Sequence, residues 1–232
     1  MFSTLFKEPK VLTYEEDLTI APAASYAFAK ELYYVPLIQT EIARAACCYP
    51  VLFVKTEDGI FPMALLSLKE NVNLFVNEKG EWEKECHIPA FVKTYPFAVT
   101  SPKWNESVRV LFDTAYEGVG KEGIEIIKEK KVTEKGQKIL DNIQNHYAAF
   151  EETMKMMGEL EKMGLFKETE VTLLTEDEDQ NRLLKDIYQI DVEKLDTLSD
   201  KKLLLLVKSG MMAMVYFHLS SLGYAEKLKN RL

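Results

Sequence analysis

The sequence predicts an α+β protein: an antiparallel sheet packed against two long helices of the C-terminal half, preceded by an irregular lead-in. Three observations carry this. Short β-prone apolar runs between residues 50 and 113 are separated by turn residues. Apolar side chains recur at steps of three and four over residues 133–163. A second long apolar stretch occupies residues 203–222.

Taken in order, residues 1–36 show no clean period and read as an irregular or partly extended lead-in lying over the core. Thr40 is placed to cap a short helix over 41–48, which Tyr49-Pro50 stops. Strands are expected at 51–54, 60–68 and 74–76, with turns at Glu57-Asp58-Gly59, at 71–73 and at Asn77-Glu78-Lys79-Gly80. Pro89 opens a helix to about Tyr95, and Pro96 closes it. Further strands are expected at 97–99, 108–112 and 124–127. Thr133 begins the long amphipathic helix, whose apolar stripe is Ile139, Ile143, Tyr147, Phe150, Met154, Met157 and Leu160. Gly164 is placed as its left-handed cap. Strands at 171–174 and 183–190 flank an acidic tip, and Ser199-Asp200 starts one last helix running to Leu222. The expectation is a single domain over residues 1–232, β-rich over about 36–131 and helical or mixed over about 132–232.

Net charge is −8, and neither half of the chain is basic, so the electrostatic footprint of nucleic-acid binding is missing. A charge of this size also disfavours anionic lipid surfaces. Cys47, Cys48 and Cys86 have no framework spacing and read as reduced thiols. The first ten residues lack a Sec-type signal, which points to the cytoplasm; leaderless export through a C-terminal signal stays open. The stretch 203–222 nears the length of a membrane span. Lys208 within it costs roughly 2.5–3.5 kcal/mol on insertion scales, so a core helix without membrane insertion is expected.

The ordered set Tyr49-Pro50-Val51-Leu52-Phe53, Phe61-Pro62-Met63-Ala64-Leu65-Leu66, Asn73-Leu74-Phe75-Val76, Trp82, His87-Ile88-Pro89-Ala90-Phe91-Val92 and Tyr95-Pro96-Phe97 resembles the SapC family of bacterial proteins. His218-Leu219-Ser220-Ser221-Leu222-Gly223 resembles that family's closing pattern, and the likeness runs from about residue 36 to 228. Lys93-Thr94 replaces the usual paired arginines. The resemblance implies an accessory role in surface-layer (S-layer) or envelope systems, next to secretion components, with links to serum resistance. It supplies no catalytic residues, and a single marginal span does not support the permease label the family sometimes carries.

No catalytic, metal or cofactor signature emerges. Cys86-His87 are chain neighbours and point apart. The acidic run 177–181 lacks the glycine and glutamate of a calcium loop, since Arg182 and Tyr188 stand there. Gly118-Val119-Gly120-Lys121-Glu122-Gly123 lacks the Ser or Thr of a phosphate loop. His146 reads as a partly exposed helix residue. The methionines of the two long helices read as adaptable packing, or as an interface for a protein or peptide partner. Trp82, Phe91, Tyr95 and Trp104 form an aromatic-rich stretch that reads as core filling or as the lining of a peptide or carbohydrate site. Trp82, His87 and Tyr95 are therefore the candidate binding residues, with His218, which reads first as a histidine hydrogen-bonded inside or at the edge of the core and second as a ligand contact. A small-ligand binder or enzyme around Trp82, His87 and Tyr95 is the alternative to a partner-binding protein.

Overall fold

The computed structural model describes residues 5–100, 109–174 and 182–232. Trp104, Val108 and the acidic tip 177–181 lie outside the described residues. The remainder is α+β, with four antiparallel sheets among the described residues.

The strands are β1 (Pro9–Val11), β2 (Leu18–Ile20), β3 (Tyr34–Pro36), β4 (Val51–Thr56), β5 (Gly59–Leu65), β6 (Phe97–Thr100), β7 (Arg109–Asp113), β8 (Ile124–Lys128), β9 (Lys131–Val132), β10 (Phe166–Glu168), β11 (Val171–Leu173), β12 (Arg182–Leu184) and β13 (Ile187–Ile190). The central sheet has the order β10-β13-β4-β5-β3. Its heart is the β4–β5 hairpin, in register from Val51 opposite Ala64 to Thr56 opposite Gly59. Two smaller sheets have the orders β1-β7-β6 and β2-β8-β9, and β11 pairs with β12.

The helices are α1 (Ile42–Ala45), α2 (Ala90–Thr94), α3 (Glu134–Lys162), α4 (Val192–Asp196), α5 (Asp200–Lys208), α6 (Met211–Ser221) and α7 (Tyr224–Lys229). Helix α3 starts where the sequence places it: Thr133 accepts a hydrogen bond from the Gly136 amide, and Gly164 adopts φ +75° past the end. It packs across β5, β6 and β8. Gly136 makes the β8 contact possible, because a Cβ there would run into the Ile126 backbone. Ile143 and Met157 are buried and Phe150 is half-buried, so the expected stripe does face the protein.

The interior has two apolar clusters. The larger gathers β3, β4, β5, β13, α6 and the end of α3; the smaller gathers Leu18, Ile20, Phe97, Phe112, Ile126, Leu140 and Ile143. Tyr95 packs against both.

Four expectations need correction. The strand expected over 183–190 is two, β12 and β13, in different sheets, divided where Asp186 takes φ +58°, whereas the lead-in is partly extended as expected, through the short strands β1, β2 and β3. Residues 74–76 do not form a strand. Asn73 is buried, accepts from the Phe75 amide and donates to the Ala29 carbonyl, which turns the chain and leaves one isolated bridge, Val76 to Trp82. Thr40 does not cap α1; Glu41 occupies that position, and the helix is only four residues long. The last helix is broken. Gly210 takes φ +80° and the Ser209 hydroxyl donates to the Leu205 carbonyl, so α5 and α6 meet at 86°. No single helix among the described residues is long and apolar enough to cross a membrane.

Candidate functional site

Trp82 is the centre of the candidate region, and its surroundings follow from what its indole needs. The ring is nearly buried (6% exposed), so its N–H requires a partner; it donates to the Tyr49 hydroxyl at 3.0 Å. Tyr49 passes the chain on, donating to the His87 carbonyl at 2.6 Å. Burial is the main reason the Tyr49 phenol is held far above its ordinary range, as a permanent donor. The His87 ring meets the Glu41 carboxylate at 2.7 Å through Nε2. Glu41 is itself buried (2% exposed) and also accepts from the amides of Ile38 and Ala90. One polar chain thus runs from Trp82 through Tyr49 and the His87 backbone, and from the His87 ring to Glu41. It ties the loop over residues 82–89 to both α1 and the start of α2.

Tyr95 belongs to the same region by a different route. Tyr26 meets Trp82 edge-on at 5.9 Å, and Phe28 lies 6.1 Å from Tyr26 and stacks on Tyr95 at 4.6 Å. Phe6 and Tyr116 close around the same ring. The Tyr95 hydroxyl donates to Asp113 at 3.0 Å. Burial opposes charge on Asp113, but the amides of Glu8, Lys7 and Ala115 and the Tyr95 hydroxyl outweigh it and hold the carboxyl below its usual range. Burial, then this Asp113 contact, pushes the Tyr95 phenol up. The Tyr95-Pro96 peptide bond is cis.

The surface that this framework presents is an open groove of about 660 Å³. Tyr26, Phe75 and Trp82 give its aromatic lining, and Lys79, Lys84, Glu81 and Glu83 its charged rim. Arg231 braces one side: its guanidinium forks onto Glu83 at 2.8 and 3.0 Å and lies 4.6 Å from the Phe75 ring centroid. Cys48 and Cys86 lie behind this wall. Cys48 donates weakly to the Glu85 carbonyl, and burial, followed by Cys48, raises the Cys86 thiol.

A scan against protein-family models matches the SapC family over residues 15–228. The chain belongs to the SapC family. No curated protein and no solved structure matches it. The SapC-like segments quoted above acquire physical roles. Tyr49, Trp82 and His87 form the polar chain, and Tyr95 fills the joint between the two apolar clusters.

His218, from the SapC closing pattern, lies apart from the other three. It is fully buried between α6 and the central sheet. Its Nε2 accepts from the Ile190 amide at 3.1 Å, which fixes the tautomer, so Nδ1–H donates to the Val51 carbonyl at 2.6 Å. Ser221 completes the joint, accepting from the Val51 amide and donating to the His218 carbonyl. Both ring nitrogens are committed, so His218 offers no group to a ligand. Burial lowers its pKa to about 4.

The methionines are mostly packing: Met157, Met211 and Met214 are buried, and Met156, Met163 and Met212 lean on the core. Among the described residues, no group of three or more His, Cys, Asp or Glu side chains is placed to hold a metal ion. Sequence reasoning missed Glu41, Tyr49 and Tyr26. Tyr49-Pro50 gave a signal, but as a helix stop; nothing in sequence joins residue 41 to residue 87.

Proposed function

We propose that this SapC-family chain is an accessory protein of a bacterial surface-layer or envelope system, and that it binds a protein or peptide partner in the groove beside Trp82. The chain acts as one SapC-like unit in this reading. The observation that carries it is the groove itself: aromatic edges along the bottom and two lysines and two glutamates on the rim. Such a lining suits an extended peptide. Aromatic rings take apolar side chains, and a rim of both signs pairs with charged side chains of both signs. The groove walls are pre-set by hydrogen bonds, so little ordering cost falls on binding.

Trp82 lines the groove but is nearly buried, and Tyr95 stands behind it, so truncating either one tests folding as well as contact. Tyr26 and Lys84 are better probes, since Tyr26 is half-buried and Lys84 exposed. A Tyr26→Ala, Lys84→Glu double variant is expected to bind a host surface-layer protein preparation about tenfold more weakly, with an unchanged melting transition. Equal binding by the wild type and this variant removes the groove from the account.

A further inference from the structure

The α5–α6 corner carries the most exposed apolar surface described in the chain. Leu204 is 53% exposed, Leu205 46%, Val207 61%, Tyr216 60% and Phe217 40%. These residues are not scattered. On α5, Lys201, Leu204, Leu205 and Lys208 share one helix face at spacings of three and four, with a lysine one turn to either side of the leucines. On α6, Ala213, Tyr216, Phe217 and Ser220 form an exposed stripe of the same period. The opposite sides of both helices are anchored by Leu206, Met211, Met214, Val215 and His218, all buried. Among the described residues, the sequence thus spends large apolar residues on exposed faces.

Charge is segregated in the same place. Residues 200–221 hold three basic side chains, Lys201, Lys202 and Lys208, and one acidic side chain, Asp200, while the whole chain carries −8. The average acidity, which argues against anionic surfaces, conceals a basic α5–α6 corner. Self-pairing of this face would set Lys201, Lys202 and Lys208 against their own copies. A surface that is both apolar and negative satisfies every group at once: the leucines and aromatics enter the acyl boundary and the lysine stems reach back to anionic headgroups.

We propose that the α5–α6 corner is a peripheral docking site for an anionic lipid bilayer. The two helices lie along the bilayer surface, without a span. The proposal is independent of the peptide groove.

The test is co-sedimentation of the full chain with two kinds of vesicle, phosphatidylcholine alone and equal parts phosphatidylcholine and phosphatidylglycerol, at low and high salt. The expected result is binding to the anionic vesicles at low salt, weakened by salt. Two variants are run beside it, Leu205→Ser with Phe217→Ser, and Lys201→Glu with Lys208→Glu. Each alters exposed positions, and each is expected to reduce binding by at least about tenfold while the melting transition stays in place. The lysine pair is pure surface and keeps the test valid if the apolar variant fails to fold. Wild type remaining in the supernatant with both vesicles overturns the proposal, as does binding that neither variant weakens. A concentration-dependent dimer that Phe217→Ser abolishes, without vesicle binding, also overturns it and gives the face to a second copy.

Discussion

The Glu41 carboxylate and the His87 imidazole, forty-six positions apart, meet at 2.7 Å with the carboxylate buried and the ring nearly so. Glu41 holds two backbone amides at the same time, from Ile38 and Ala90. It is the point where α1, the Trp82 loop and α2 are tied together. Glu41→Ala leaves these donors and the ring without their acceptor. The expected cost is about 3 kcal/mol, or roughly 6–12 °C in melting temperature for a chain of this size. A calorimetric scan showing a shift under 1–2 °C (roughly the range of a neutral surface change) would contradict the assignment.

His218 makes stability depend on pH. Its Nε2 accepts from the Ile190 amide, so a proton there would face another N–H. The folded pKa of about 4 lies below the ordinary 6.5. The unfolded chain therefore binds the proton first as pH falls. The stabilisation is complete above about pH 6.5 and declines as pH drops towards about 4, by up to about 3 kcal/mol in all. Between pH 6.5 and 5 most carboxylates stay ionised, so that window reports on histidines; burial also lowers the pKa of His146, which adds a loss of the same sign. Denaturant melts of wild type should lose stability there, and those of His218→Gln, though weaker overall, should lose clearly less.

Gly136 is needed for the close approach of α3 to β8. Gly136→Ala drives a methyl group into the Ile126 backbone. A loss of about 2 kcal/mol is expected, despite the better helix propensity of alanine. Stabilisation in a urea melt would show that the helix stands further from β8 than described.

Gly210 separates α5 from α6 with φ +80° and nothing within reach of an added Cβ. Gly210→Ala is thus a test of backbone conformation alone, with an expected cost of about 1 kcal/mol. A neutral result would mean that the two helices do not turn at this residue.

The parts of this fold legible in the sequence are those governed by local physics. The α3 cap at Thr133, its apolar stripe and the Gly164 terminator all follow from neighbours a few positions apart. The β4–β5 hairpin follows from Asp58-Gly59 between two apolar runs. What escaped depends on distant partners. Asn73 turns the chain instead of leading a strand because the Ala29 carbonyl waits for it. Lys208, Ser209 and Gly210 contain a helix-stop signal, a cation in the last turn and then a glycine, but the apolar residues on both sides hide it. At the candidate site, Trp82, His87 and Tyr95 do converge, through Tyr49 on one side and through Tyr26 and Phe28 on the other. His218 does not join them: it is the hydrogen-bonded core histidine that its apolar helix neighbours Phe217 and Leu219 suggest, and its ligand role falls away.

The central claim is that the groove beside Trp82 receives a partner, and site-directed photocrosslinking in the native host tests it most directly. A benzophenone amino acid is placed at Lys84 on the groove rim, and in a separate strain at Lys155 on the exposed side of α3. The account predicts one dominant crosslinked envelope protein from position 84, lost when Tyr26→Ala is added, and no such product from position 155. Equal products from both positions, or a position-84 product that survives Tyr26→Ala undiminished, would contradict it.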